Sequence, residues 1–183
     1  MSRTVTMEIE GIDQVIAAMH RLGADAEHGL GEAVTKTALV INQDVKRAIK
    51  SGAKTGVKYW RIPGEDGMMR IYAGNPNAYG PSKLVAVFKA EGKQNLSKTH
   101  QASAPGEAPA SDTGTLVSSI YFEQNTPYQT TIGSRLAYAE WLEFGTRKIA
   151  PRPAWVPAVE KHRATLQKLV MAELKKATEN AQR

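Results

Sequence analysis

The chain has 183 residues, 42% of them hydrophobic and 23% charged, with no cysteine and a formal net charge of +6. That length and composition fit one globular domain and exclude wholesale disorder, and the missing cysteines exclude disulfides, thiolate metal sites and cysteine nucleophiles. No apolar run reaches the roughly 18 residues of a membrane span, and the N-terminal MSRTVTMEIEG lacks a signal-peptide core, so neither spanning nor secretion is expected. A pI near 9.5 suits a polyanionic partner and plain solubility equally well.

Val5, Met7 and Ile9 alternate with polar residues, which predicts a half-buried strand over 4–10 ended by Gly11. Ile12, Val15, Ile16 and Met19 then share a short helical face before Gly23. From Ala24 to Lys50 the positions Leu30, Val34, Ala38, Ile41, Val45 and Ile49 recur every three or four residues. They form one stripe of an amphipathic helix of about seven turns. Ser51-Gly52 is its stop, with Lys46, Arg47 and Lys50 set against the helix dipole.

Residues 51–102 are punctuated by Pro63-Gly64, Gly67, Gly74, Pro76 and Gly80-Pro81, and read as a loop-rich hairpin or insertion whose strands are Met69–Tyr72 and Leu84–Phe88. Ser103–Gly114, SAPGEAPASDTG, cannot propagate a helix or a central strand and reads as a loop or extended arm. Ile120–Phe122, the Asn125-Thr126-Pro127 turn and Tyr128–Gly133 predict a β-hairpin. Leu136–Phe144 is too densely apolar for a surface helix, so it is expected to be buried in the core or in an interface, closing at Gly145. Arg152–Pro157 permits no helix before its second proline. Pro157 then opens a second amphipathic helix through Val159, Leu166, Leu169, Val170 and Leu174, which runs to a polar tail at 177–183.

Catalytic spacing is missing. His20, His28, His100 and His162 are scattered without an H-E-x-x-H pair, Ser134 lacks a G-x-S-x-G elbow, and Gly52–Gly56 does not meet the phosphate-loop order. Glu140 and Glu143 lie one helical turn apart, as an acid/base pair would, but their aromatic neighbours favour a contact rim. The reading is therefore of a non-enzyme with no catalytic, cofactor or metal residue. Lys46, Arg47, Lys50, Lys54, Lys58 and Arg61 form the sharpest electrostatic signal, with no acid between Asp44 and Glu65 and with Tyr59-Trp60 among them. They describe either a sequence-independent phosphate surface or a helix end followed by a solvated loop.

Four motifs in order carry a resemblance: the Pro-Gly-Glu-x-Pro arm (Pro105–Pro109), Thr-Gly-x-Leu-x-x-Ser-Ile (Thr113–Ile120), an aromatic helix ending Glu-Phe-Gly-Thr (Glu143–Thr146), and Arg-Pro-x-x-x-Pro-Ala (Arg152–Ala158). This pattern resembles the head-tail joining, or tail-completion, family of long-tailed bacteriophages, also described as neck or phage morphogenesis proteins. The likeness extends to Lys54–Tyr59 and covers about three quarters of the chain, with residues 61–98 read as an insertion into a single domain over 1–183. It implies an α+β fold, a small and mostly antiparallel sheet packed by the long N-terminal helix and a C-terminal helix. It further implies a hexameric ring at the head-tail junction of the virion, assembled in host cytoplasm, with the head-side connector, the tail tube and double-stranded DNA in its channel as partners.

On that reading the arm reaches a neighbouring subunit or the adjoining ring, because an extended Pro-rich segment loses little entropy on ordering. Pro105, Glu107, Pro109, Trp141, Glu143, Phe144, Arg147, Arg152 and Trp155 are the expected oligomer or partner contacts, with Trp141, Phe144 and Trp155 anchoring either the core or the subunit contact, and the six basic residues at 46–61 are the channel contacts. The alternative is a freestanding, non-specific DNA-binding protein that uses the same basic segment.

Overall fold

The computed structural model describes residues 23–75, 82–89 and 99–181. The strand expected at 4–10, the short helix after it and His20 lie outside the described residues. Helix α1 (Ala24–Ser51) is the spine of the molecule, and all six residues of its predicted stripe are buried. It ends where expected: the Gly52 N–H closes on Ala48 O at 3.0 Å.

A four-stranded antiparallel sheet follows, made of β1 (Lys58–Pro63), β2 (Met68–Ala73), β3 (Lys83–Lys89) and β4 (Thr99–Gln101) in the order β3-β2-β1-β4. The two predicted strands are β2 and β3, paired with Met69 opposite Phe88. The expected hairpin is thus present and is widened to four strands by β1 and β4, forming a wing of the chain. Strand β1 lies in the basic segment, for which the sequence offers a phosphate surface or a helix end with a solvated loop but no strand. Its pattern is disguised because the buried position is Arg61, 7% exposed, whose charge is met by Asp112 far along the chain.

Helix α2 (Thr115–Ser119) leads into the β5–β6 hairpin, Ile120–Thr126 and Gln129–Ser134, which forms a separate two-stranded sheet with the predicted turn. Helix α3 (Tyr138–Phe144) and helix α4 (Trp155–Ala181) complete the chain. Helix α4 starts two residues ahead of Pro157, a correction to the expected start. Proline is tolerated in a first turn, where its missing N–H would have had no helical acceptor.

Helices α1 and α4 lie antiparallel. Asp44 of α1 meets Lys161 and His162 near the start of α4, while Ala26, Leu30 and Val34 pack with Ala177 near its end, joined by Leu166, Val170 and Leu174. The larger core joins Ala38, Ile41, Val45 and Ile49 of α1 to Leu116, Ile120, Ile132, Ala139, Ala154 and Trp155, so the hairpin, α3 and the start of α4 all close on the C-terminal half of α1. The architecture is α+β with long helices near both ends of the described chain.

Candidate functional site

The four motifs, spread from Pro105 to Ala158, converge at the C-terminal end of α1. The arm is tied to its own domain. Ser111 N–H donates to Ile49 O at 3.1 Å, and Lys54 Nζ donates to Ala48 O, Ala108 O and Pro109 O at 3.2, 3.0 and 2.9 Å. One ammonium thereby serves both a helix-end carbonyl and two arm carbonyls; its burial lowers its pKa. Glu107 accepts from Thr55 Oγ1 at 2.6 Å, Thr55 N–H at 2.9 Å and Ala104 N–H at 2.8 Å. These bonds, the Thr55 hydroxyl first, hold its carboxyl below the usual range. At Gly56 the two segments touch so closely that a Cβ would stand 2.5 Å from Ser103 O.

The arm is tied on its other side to the loop before α4. Gly106 N–H donates to Pro151 O at 2.9 Å, and Arg152 Nε to Ser103 O at 3.2 Å. Arg152 N–H also donates to Leu142 O at 2.6 Å, which fixes the loop to α3. Gly145, at φ 76°, ends α3 in the left-handed region, and a Cβ there would lie 2.8 Å from Ile149 O. Thr146 then turns the chain, its N–H on Ile149 O and its hydroxyl accepting from the Lys148 and Ile149 N–H groups at 3.2 and 3.1 Å.

Glu143 is the centre of this unit. Its side chain is 2% exposed and accepts the N–H groups of Ala154 at 2.7 Å, Trp155 at 3.1 Å and Val156 at 2.7 Å. The next residue, Pro157, has no N–H, so one carboxylate satisfies the opening of α4 and places a negative charge on the positive end of its dipole. Glu143 and Trp155, the latter fully buried, are therefore internal: a correction to the expected contact role of Glu143, while Trp155 takes the core place among its two expected ones. Arg152 and the arm residues Glu107 and Pro109 are also held inside the domain, which leaves Pro105 exposed at the arm's tip.

What the clasp leaves outside is aromatic. Helix α3 buries Ala139 and Glu143, and on its other side Tyr138, Trp141 and Phe144 are 38, 52 and 61% exposed. Ile149 and Val156 add exposed apolar surface from the loop and the start of α4, and Arg147 and Lys148 are exposed beside them. These apolar side chains stay exposed on the side of α3 opposite the one anchored by Glu143.

The basic segment divides. Lys54 and Arg61 are engaged inside the protein, a correction to their expected phosphate role. Arg47, Lys50 and Lys58 are exposed and Lys46 half-buried, with Lys58 Nζ 5.1 Å from the Trp60 ring centroid. Asp112, which the sequence did not single out, binds Arg61 and stands 3.7 Å from His100 Nδ1, so it anchors the wing to the arm. Its only sequence signal is its position beside the Thr-Gly motif.

An open hollow of about 310 Å³ between arm, β4 and α3 is lined by His100, Asp112, Thr113, Tyr138, Leu142 and Arg152, but by neither Glu140 nor Glu143. Among the described residues no group of acidic or histidine side chains is gathered to hold a metal, and no helix is long and apolar enough to cross a membrane. Comparison with protein-family models, curated proteins and solved structures gives no match to this chain.

Proposed function

We propose that this protein is a structural component of a tailed-phage virion, a subunit of a hexameric ring that completes the tail and joins it to the head around the DNA channel. The observation that carries the proposal is the exposed aromatic face of α3. Trp141 and Phe144 stand in water on a helix whose other side is anchored by a buried, triply bonded carboxylate, and their position is fixed by the same motifs that resemble the tail-completion family. A side chain of that size is costly to leave exposed, and a second subunit covering the half that remains open recovers about 1–2 kcal/mol per residue. Partners above and below the ring are the head-side connector and the tail tube, with the exposed tip at Pro105 and the cationic loop Arg147-Lys148 as their nearest contacts.

Particles assembled without this protein should show heads and tails that fail to join, or tails with abnormal ends, in electron micrographs. Normal virions would refute the assignment.

A second reading, a freestanding non-specific DNA-binding protein, draws support from the exposed Arg47, Lys50 and Lys58 at the junction of α1 and the wing. It requires that the isolated protein bind duplex DNA with an affinity that falls steeply with salt, with a slope near −0.9 per phosphate contact. A salt-insensitive or undetectable interaction removes it.

A further inference from the structure

Neither the aromatic face of α3 nor the exposed basic residues at the end of α1 account for the hollow between arm, β4 and α3. Its volume of about 310 Å³ is in the range of small-molecule pockets. Separate segments wall it: His100 from β4, Thr113 from the arm, Tyr138 and Leu142 from α3, and Arg152 from the loop before α4.

The charges around it do not balance. Asp112 is the only acid in the lining, and its carboxylate is bound by the buried Arg61. Arg152, half-buried, has no acid of its own: among the described residues its side chain makes a single bond, from Nε to Ser103 O at 3.2 Å. Two guanidinium groups therefore stand against one carboxylate, an excess of one positive charge before any proton is added to His100. Charge withdrawn from water in this way favours a ligand of opposite sign.

Donors also outnumber their partners. With Nε held on Ser103 O, the Arg152 guanidinium keeps both terminal nitrogens, the fork that takes two oxygens at once. His100 turns Nδ1 toward Asp112 at 3.7 Å, which leaves Nε2. The Tyr138 hydroxyl has no partner among the described residues. Thr113 and Thr115 share one hydrogen across 2.6 Å, so one of their two hydroxyl hydrogens remains. A carboxylate has two oxygens and would be filled by Arg152 alone, whereas a phosphate monoester has three terminal oxygens and close to two negative charges, and takes the other donors as well.

We propose that this hollow binds a phosphate monoester with a small organic group, its phosphate held by Arg152, His100 and Tyr138 and its organic part lying against Leu116 and Leu142. The bonds that fix the arm through Lys54 and Glu107 are made without the ligand, so binding has little left to order. The site is independent of whether the chain forms a ring.

Phenyl phosphate titrated into the full-length protein in a calorimeter should bind one to one, inorganic phosphate should compete more weakly, and phenol should not bind. Arg152→Gln should weaken phenyl phosphate binding by roughly tenfold or more, the loss expected for a charged, two-pronged contact. Because Arg152 also ties the arm to the loop before α4, Tyr138→Phe is the second variant. The Tyr138 hydroxyl has no partner within the described protein, so the urea midpoint should match wild type while the affinity falls several-fold.

Duplex DNA at the same phosphate concentration should not displace the ester, because a phosphodiester within a duplex offers only two free oxygens and cannot enter a hollow walled by several segments. Four results overturn the proposal: no saturable binding at millimolar phenyl phosphate, phenol bound as tightly as its phosphate ester, wild-type affinity in either variant, or displacement by duplex DNA, which would give the site to the DNA-binding reading.

Discussion

Replacing Glu143 separates a structural carboxylate from a contact residue more sharply than any other change. In Glu143→Ala three backbone N–H groups at the start of α4 lose their acceptor, two of them, on Ala154 and Trp155, in fully buried surroundings. A buried donor without a partner costs about 1–3 kcal/mol, and water can recover part of the half-exposed third bond, so the total loss is about 3–5 kcal/mol. That is a large share of the roughly 5–15 kcal/mol that holds a domain together. Glu143→Gln keeps one acceptor oxygen but turns an NH2 group toward the same donors, and should lose about 2 kcal/mol.

Urea unfolding followed by circular dichroism measures both variants; with a slope of about 2 kcal/mol per molar, Glu143→Ala should lower the midpoint by roughly 2 M. Hydrogen exchange should quicken first at the amides of residues 154–156. A loss below about 1 kcal/mol for Glu143→Ala, well under the cost of a single charged hydrogen bond, would refute the capping role and return Glu143 to the surface contacts.

Trp141→Ser and Phe144→Ser should behave in the opposite way: stability within about 0.5 kcal/mol of wild type, as for surface positions, but weaker self-association by light scattering. Lys54→Met should cost about 1–3 kcal/mol by leaving the carbonyls of Ala48, Ala108 and Pro109 without their shared donor, and hydrogen exchange should rise across 103–111 while the α4 amides stay protected. Asp44 is held below its ordinary value of 3.8 by hydrogen bonds from Lys161 and then His162, so its stabilising contribution is complete above that value and is lost as pH falls through the lower folded value. Asp44→Asn should therefore be less stable than wild type near neutral pH, and the gap in urea midpoint should narrow below pH 3.8; a gap that widens there contradicts the assignment.

Periodicity made the helical frame legible. The stripe from Leu30 to Ile49 needs only the helix repeat to declare its buried face, and the hairpin around Asn125-Thr126-Pro127 and the stop at Gly145 follow from local backbone preferences. Those properties reside in neighbouring residues, so the sequence by itself determined them. What only the tertiary structure decided is the use of each charge. Arg61 disguises β1 because its counter-ion, Asp112, comes from the arm; Lys54 reads as one more cation until the carbonyls of the arm arrive around it. Glu143 and Trp141 are two residues apart on one short helix, and no pattern of composition says which faces the core. The opening of α4 settles it: its three N–H groups ahead of Pro157 take the Glu143 carboxylate as their acceptor, which turns that side of α3 inward and leaves Trp141 outside.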